Sequence, residues 1–276
     1  MSDFLETVVA ERKADMQAAR RSAEQPARSG ARRASFADAI REKRAAGRIA
    51  VIAEVKRRSP ALGALATNTD PASIAFVYAQ AGAAAISVLT EPRHWGGSIA
   101  DLAAVVRAVD LPVLYKDIVV DEQQLREAEA AGASAVLLIA EALDDATLAS
   151  FVEQAAALGL TALVEAHEHH AFVRAVACGA TIVGVNARSL RAPAEIDRER
   201  INALHGLVRA EQLLVAESGI ASADDVAALP ARVDAVLVGT ALMTAADPGA
   251  LVRKLAEARA LPERGRRAEG SEGSRV

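Results

Sequence analysis

Eight short apolar runs, most followed by a helical pattern, constrain this chain more than any other feature. They are Ile49–Val55, Ala84–Leu89, Leu111–Tyr115, Ala135–Ala140, Leu160–Val164, Thr181–Val185, Gln212–Ala216 and Val233–Val238. They begin about 20–35 residues apart, and most gaps carry a helical pattern such as ASIAFVYAQAGA or DEQQLREAEAAGA. Strands joined by helices of this length must run parallel, because a long crossover returns the chain in the same direction. Eight such units predict an α/β fold of the closed (β/α)8 barrel type. An open doubly wound sheet is the alternative. It is weakened because neither GxGxxG nor GxxxxGKS/T follows the first run.

The predicted layout has three parts. An N-terminal helical extension and linker occupies 1–48, the barrel 49–262 and a disordered tail 263–276. Phe4, Leu5, Val8 and Val9 recur at helical spacing in the extension. The basic run RRSAEQPARSGARRA (20–34) is expected to be a solvated connector, with an anion-steering arm as its functional alternative. A net charge of −4 speaks against a nucleic-acid partner. The single cysteine, Cys178, excludes an internal disulfide and a cysteine-based zinc site. The longest apolar stretch falls short of the ~18 residues of a membrane span, and the acidic start does not resemble a secretory signal. A cytoplasmic protein without a membrane partner is expected, and a monomer.

Each apolar run ends in polar residues, and barrel enzymes hold their chemistry at the C-terminal strand ends. Side chains two apart share a strand face. Ile52, Glu54 and Lys56 therefore point together, as do Leu114 and Lys116, Leu163 and Glu165, and Val215 and Glu217. If the apolar members fill the barrel, three carboxylates and two lysines crown its mouth. Such a mixed cluster can supply acid and base. In the last two units, Ser222 is a candidate N-cap with Asp225 three residues on. Gly219, Gly239 and Thr240 sit in loops whose N–H groups can cradle a phosphate. The His167–His170 patch is expected to be a solvated helix start rather than a metal site. Cys178 is expected to be a small buried thiol, and Trp95 an aromatic lying over an apolar ring.

The motifs AVIAEVKRRSP, GAAAISVLTEPRHWGGS, LPVLYKD, VLLIAEAL, LVEAHE, VGVNARSL, VAESGI and VLVGTALM fall in register with one family. Over residues 4–260 the chain resembles indole-3-glycerol phosphate synthase. The resemblance implies ring closure, decarboxylation and dehydration of 1-(2-carboxyphenylamino)-1-deoxyribulose 5-phosphate, with no metal or organic cofactor. By that resemblance Lys116 is the general acid and Glu165 the acid/base of dehydration, supported by Glu54 and Lys56. Asn186, Glu217 and Ser218 hold the sugar hydroxyls and orient the acid and base. Lys56, Ser59, Gly219, Gly239 and Thr240 grip phosphate, while Arg188, Trp95 and Ile118 flank the anthranilate ring. Ile118, Ala187, Ser189 and the loop ALGALATNTDP depart from the family's usual pattern. A paralogue for a substituted anthranilate, an aldolase with Lys116 as Schiff-base nucleophile, and a silent metabolite-binding barrel are the alternatives.

Overall fold

The computed structural model describes residues 3–20, 34–65 and 69–258. The arginine-rich run and the C-terminal tail therefore lie almost wholly outside the described residues. All eight apolar runs are strands: β1 (Ala50–Val55), β2 (Ala85–Leu89), β3 (Val113–Lys116), β4 (Ala135–Ile139), β5 (Thr161–Ala166), β6 (Ile182–Asn186), β7 (Leu213–Glu217) and β8 (Ala235–Val238). Each pairs in parallel with its sequence neighbours, and β1 closes on β8, so the sheet is a barrel with no free edge.

Strand alternation sorts the side chains into two cores. Val51, Ala53 and Val55 of β1, like Val113 and Tyr115 of β3, face outward into the helical layer. Ala50 and Ile52, Leu114, Leu163 and Val215 face inward. The next inward position on each odd-numbered strand is charged: Glu54, Lys116, Glu165 and Glu217. In an eight-stranded barrel the four side chains of one layer come from alternate strands. These four residues thus form one layer at the C-terminal end of the barrel.

Two helices precede β1. Helix α2 (Phe36–Ala45) starts at Ser35, whose side chain accepts from Asp38 N–H. Its Phe36 and Ile40 are fully buried among Ala50, Ala84 and Ala235, which closes the N-terminal end of the barrel. Helix α1 (Phe4–Arg20) lies at the opposite end, where Leu5 and Val8 pack with Ile118 and Leu190. Burying these apolar side chains stabilises the arrangement by roughly 1.5–3 kcal/mol each for the larger ones. Ion pairs fasten α1 to the strand-end loops: Glu11 to His94, Asp15 to Arg93 and Asp3 to Arg191. The deepest is a two-bond bridge from Arg12 to Asp117 at 2.8 and 2.9 Å.

Candidate active site

A cleft with an empty volume of about 910 Å³ opens at the C-terminal strand ends. Its wall includes Lys116, Glu165, Glu54, Lys56, Asn186 and Ser218, together with Trp95, Arg188, Ile118, Ser59, Gly219, Gly239 and Thr240. All thirteen are candidates from alternation, loop position or resemblance, and twelve of them sit at strand ends or in the loops just beyond them. Ser59 instead belongs to a small hairpin, Arg58–Ser59 against Gly63–Ala64, that rises after β1.

Lys116 is the electrostatic centre. Its Nζ lies 3.3 Å from Glu217, 3.4 Å from Glu54 and 3.7 Å from Glu165. Burial alone would favour the neutral amine, but the three carboxylates overrule it and hold the ammonium above its ordinary range. Glu54 is shared with Lys56, 2.8 Å away. Burial would raise the Glu54 carboxyl, yet the two lysines hold it below its usual value. Asn186 Nδ2 donates to Glu165 Oε1 at 2.8 Å, and Asn186 Oδ1 accepts from Arg188 N–H at 2.9 Å. The Arg188 guanidinium donates to the Pro193 carbonyl, and half-burial lowers its pKa. A partly dry guanidinium on a cleft wall suits a carboxylate or phosphate ligand.

Two glycines make the charged layer possible. A Cβ on Gly239 would stand 2.1 Å from Glu54 Oε1 and 3.0 Å from Lys56 Nζ. A Cβ on Gly184 would stand 2.3 Å from Glu217 Oε1. Gly239→Ala should therefore leave the fold intact but drive Glu54 off Lys56. Displacing a catalytic group by about 1 Å can cost about 10²-fold, and kcat/KM should fall by that order. Steady-state kinetics beside a circular dichroism spectrum check this, and unchanged kinetics would mean that Glu54 can relocate freely.

The loops that carry the candidate phosphate residues border this charged layer. Gly239, beside Glu54 and Lys56, precedes the short helix Thr240–Thr244, and Ser218 with φ 66° and Gly219 with φ 75° turn the chain after β7. Ser218 is the one non-glycine residue with positive φ among the described residues. Such backbone strain is tolerated where surrounding structure demands it and clusters at functional sites. The expected cap at Ser222 is present, with Asp225 completing a reciprocal capping box. The same cleft is also lined by the apolar side chains of Leu89, Trp95, Ile118, Leu137, Ile139, Leu190 and Leu237.

Glu217 is buried just behind the cleft wall, where its carboxylate meets Lys116. Two sequence readings need correction. His167, the residue just after β5, is buried with Nδ1 3.2 Å from Glu141, whereas Glu168, His169 and His170 are exposed at the start of the helix His169–Ala177. Cys178 is half-buried rather than buried, and its Sγ donates to the Ala175 carbonyl. Among the described residues no group of three or more metal-ligating side chains is assembled. No described helix is long and apolar enough to cross a membrane.

Other contributors lay outside the sequence reading. Glu91 accepts the N–H groups of Arg93, His94 and Trp95 at 2.9, 2.7 and 3.1 Å, and so shapes the loop that carries Trp95. Phe4 of α1 meets His94 and Trp95 edge-on, at centroid distances of 5.1 and 6.1 Å. A glycine inside the apolar strand IVGVN was a legible signal for a close approach at Gly184.

The sequence profile of the indole-3-glycerol phosphate synthase family matches residues 5–255, which is most of the chain. The chain belongs to the indole-3-glycerol phosphate synthase family. Indole-3-glycerol phosphate synthase from a Parafrankia species is 52% identical over 214 residues, covering 77% of this chain and 80% of that one. The enzyme of the same name from a Nocardioides species is 54% identical over 213 residues, covering 77% and 81%. That from Beutenbergia cavernae is 48% identical over 237 residues, 86% of each chain. Among solved structures, tryptophan synthase from M. tuberculosis in a ligand-free form aligns with TM-score 0.62 at 16% identity, over 83% of this chain and 100% of that one. A 3-hexulose-6-phosphate synthase aligns with TM-score 0.59 at 20% identity, over 77% and 100%. These two share the barrel fold.

Proposed function

We propose that this chain is a carboxy-lyase, an indole-3-glycerol phosphate synthase of tryptophan biosynthesis. It converts 1-(2-carboxyphenylamino)-1-deoxyribulose 5-phosphate to indole-3-glycerol phosphate, carbon dioxide and water. The observation that carries this reading is the ammonium of Lys116, set among three carboxylates on the wall of a cleft that also presents apolar side chains and the glycine loops after β7 and β8.

The substrate's parts match that layout. The phosphate goes to Ser218–Gly219 and Gly239–Thr240, with Lys56 supplying charge. The aryl ring goes against Trp95, Ile118 and Leu190, its carboxylate toward Arg188. This folds the flexible sugar chain so that the ring carbon bearing the carboxylate meets the ketone carbon. Holding the two ends in contact removes much of the entropic barrier. As the new carbon–carbon bond forms, negative charge grows on the ketone oxygen. Lys116 stabilises that charge and donates a proton to it. A strongly held ammonium can still act here, because the developing alkoxide is far more basic than any amine. Loss of the carboxylate as carbon dioxide returns its bonding electrons to the ring and restores aromaticity. The last stage expels the hydroxyl as water, with Glu165 at the wall exchanging the protons.

The same ammonium disfavours an aldolase reading, since a Schiff-base lysine must become a neutral amine. Purified protein mixed with the substrate should develop indole fluorescence without added cofactor and in the presence of a chelator. Tight binding without turnover would redirect the reading to a substituted anthranilate, with Ile118 and Trp95 as the residues to exchange. Neither turnover nor binding would overturn it.

A further inference from the structure

Glu165 and Glu217 sit on strands that are not neighbours, and β6 runs between them. Gly184 is the β6 residue in register with Glu165, and it has no side chain to fill the space. The Glu217 carboxyl leans into that gap, with Oε1 where a Cβ on Gly184 would be. Glu165, in register with Gly184 on the adjacent strand, turns inward beside the same gap. Two residues further along β6, Asn186 occupies Glu165 Oε1, and Lys116 occupies Glu217 Oε2 at 3.3 Å. The remaining oxygens, Glu165 Oε2 and Glu217 Oε1, are buried and have no hydrogen-bond partner among the described residues, although Glu165 Oε2 lies 3.7 Å from Lys116 Nζ. Two bare carboxylate oxygens so placed are both unsatisfied and mutually repulsive. One proton between them resolves both problems, because it turns one acceptor into a donor.

We propose that Glu165 and Glu217 share a single proton and work as one acid–base unit in the dehydration step, Glu165 at the cleft wall and Glu217 as the positioning residue behind it. This deepens the functional reading above and rests on it. The charged groups facing the pair are Lys116 of β3 and, through it, Glu54 and Lys56 at the end of β1. Burial, and then the charge of Glu165, push the Glu217 carboxyl well above its ordinary value, against the pull of Lys116.

The proton ledger of the step closes on the pair. After carbon dioxide has left, the new five-membered ring carries a hydroxyl on the former ketone carbon. The shared proton passes to that hydroxyl, the carbon–oxygen bond breaks and water departs. One proton of the ring's NH–CH2 unit then passes to the ionised pair, and the electrons it leaves behind complete the indole double bond. The pair ends the step holding one proton, as it began.

Infrared difference spectroscopy on the intact protein, without substrate, tests the shared proton directly. A buried carboxylic-acid C=O band should be present in the wild type at neutral pH and absent from both Glu217→Gln and Glu165→Gln. Rapid-quench kinetics then separate carbon dioxide release from indole formation. Because Glu217 also touches Lys116, Glu217→Gln should slow carbon dioxide release to some degree, but it should slow indole formation by about 10²-fold more. The alkaline limb of the wild-type dehydration rate should shift in this variant, since it reports loss of the shared proton. Absence of the acid band in the wild type, or equal slowing of both phases in Glu217→Gln, would overturn the proposal. A wild type that shows the band but never releases carbon dioxide would overturn the functional reading instead.

Discussion

Lys116→Met is expected to lower kcat by about 10²–10⁴-fold, the range set by loss of a positioned general acid. The Michaelis constant should change far less, because the phosphate and the aryl ring are assigned to other residues of the cleft. Methionine keeps much of the length and apolar volume of lysine, so the loss isolates the charge. It also leaves Glu54, Glu165 and Glu217 in a dry layer with only Lys56 in direct contact. The Glu54 and Glu217 carboxyls must then move upward, since Lys116 pulls both down. The folded variant binds more protons than the unfolded chain in the window between the ordinary and raised carboxyl values. Its stability must therefore fall as pH rises through that window. Thermal melts at acidic and neutral pH, set beside the turnover number, check both halves. Near-normal turnover would remove Lys116 from the role of acid. A variant that melts equally at both pH values would mean that water, not protonation, compensates the carboxylates.

The legible part of this molecule is the part governed by strand alternation. Strands buried on both faces need continuous apolar runs, so β1 to β8 could be read from Ile49–Val55 through Val233–Val238, with ends shifted by a residue or two. The inward direction of Glu54, Lys116, Glu165 and Glu217 follows from the same period of two. Depth does not follow from it. Alternation places Glu165 and Glu217 on the same layer, but the vacancy at Gly184 lets Glu217 lean away from the cleft while Glu165 stays on its wall. His167 shows the same limit from the other side. It stands in a run of four polar residues, three of them histidines, yet it shares the parity of Glu165 and is buried. Contacts between distant segments left no local trace at all. Nothing near Arg12 or Asp117 announces that residues 105 apart form a bidentate pair.

That pair makes the second large prediction: Arg12→Met should destabilise the fold by about 3–5 kcal/mol, the usual cost of removing one partner of a buried ion pair. Asp117 is almost wholly enclosed, and the guanidinium of α1 is its only cation within hydrogen-bonding distance among the described residues. Its other contacts are the Thr90 hydroxyl at 2.8 Å, the Tyr115 hydroxyl at 3.2 Å and the Ile118 N–H at 2.8 Å. Burial already raises the Asp117 carboxyl despite Arg12, and without Arg12 it must rise further. A raised folded-state value means that the fold binds the extra proton, so the penalty is fully felt at neutral pH and fades as pH falls through that value. Denaturant melts of Arg12→Met should therefore approach the wild type on acidification. Adding Asp117→Asn should recover much of the loss, since it removes the stranded charge while keeping the contacts to Thr90 and Ile118. Lys116 is the next residue along the chain, so Arg12→Met should also lower kcat, and the double variant should restore stability more fully than turnover. Equal losses in single and double variants would mean that Arg12 acts through packing of α1 rather than through charge.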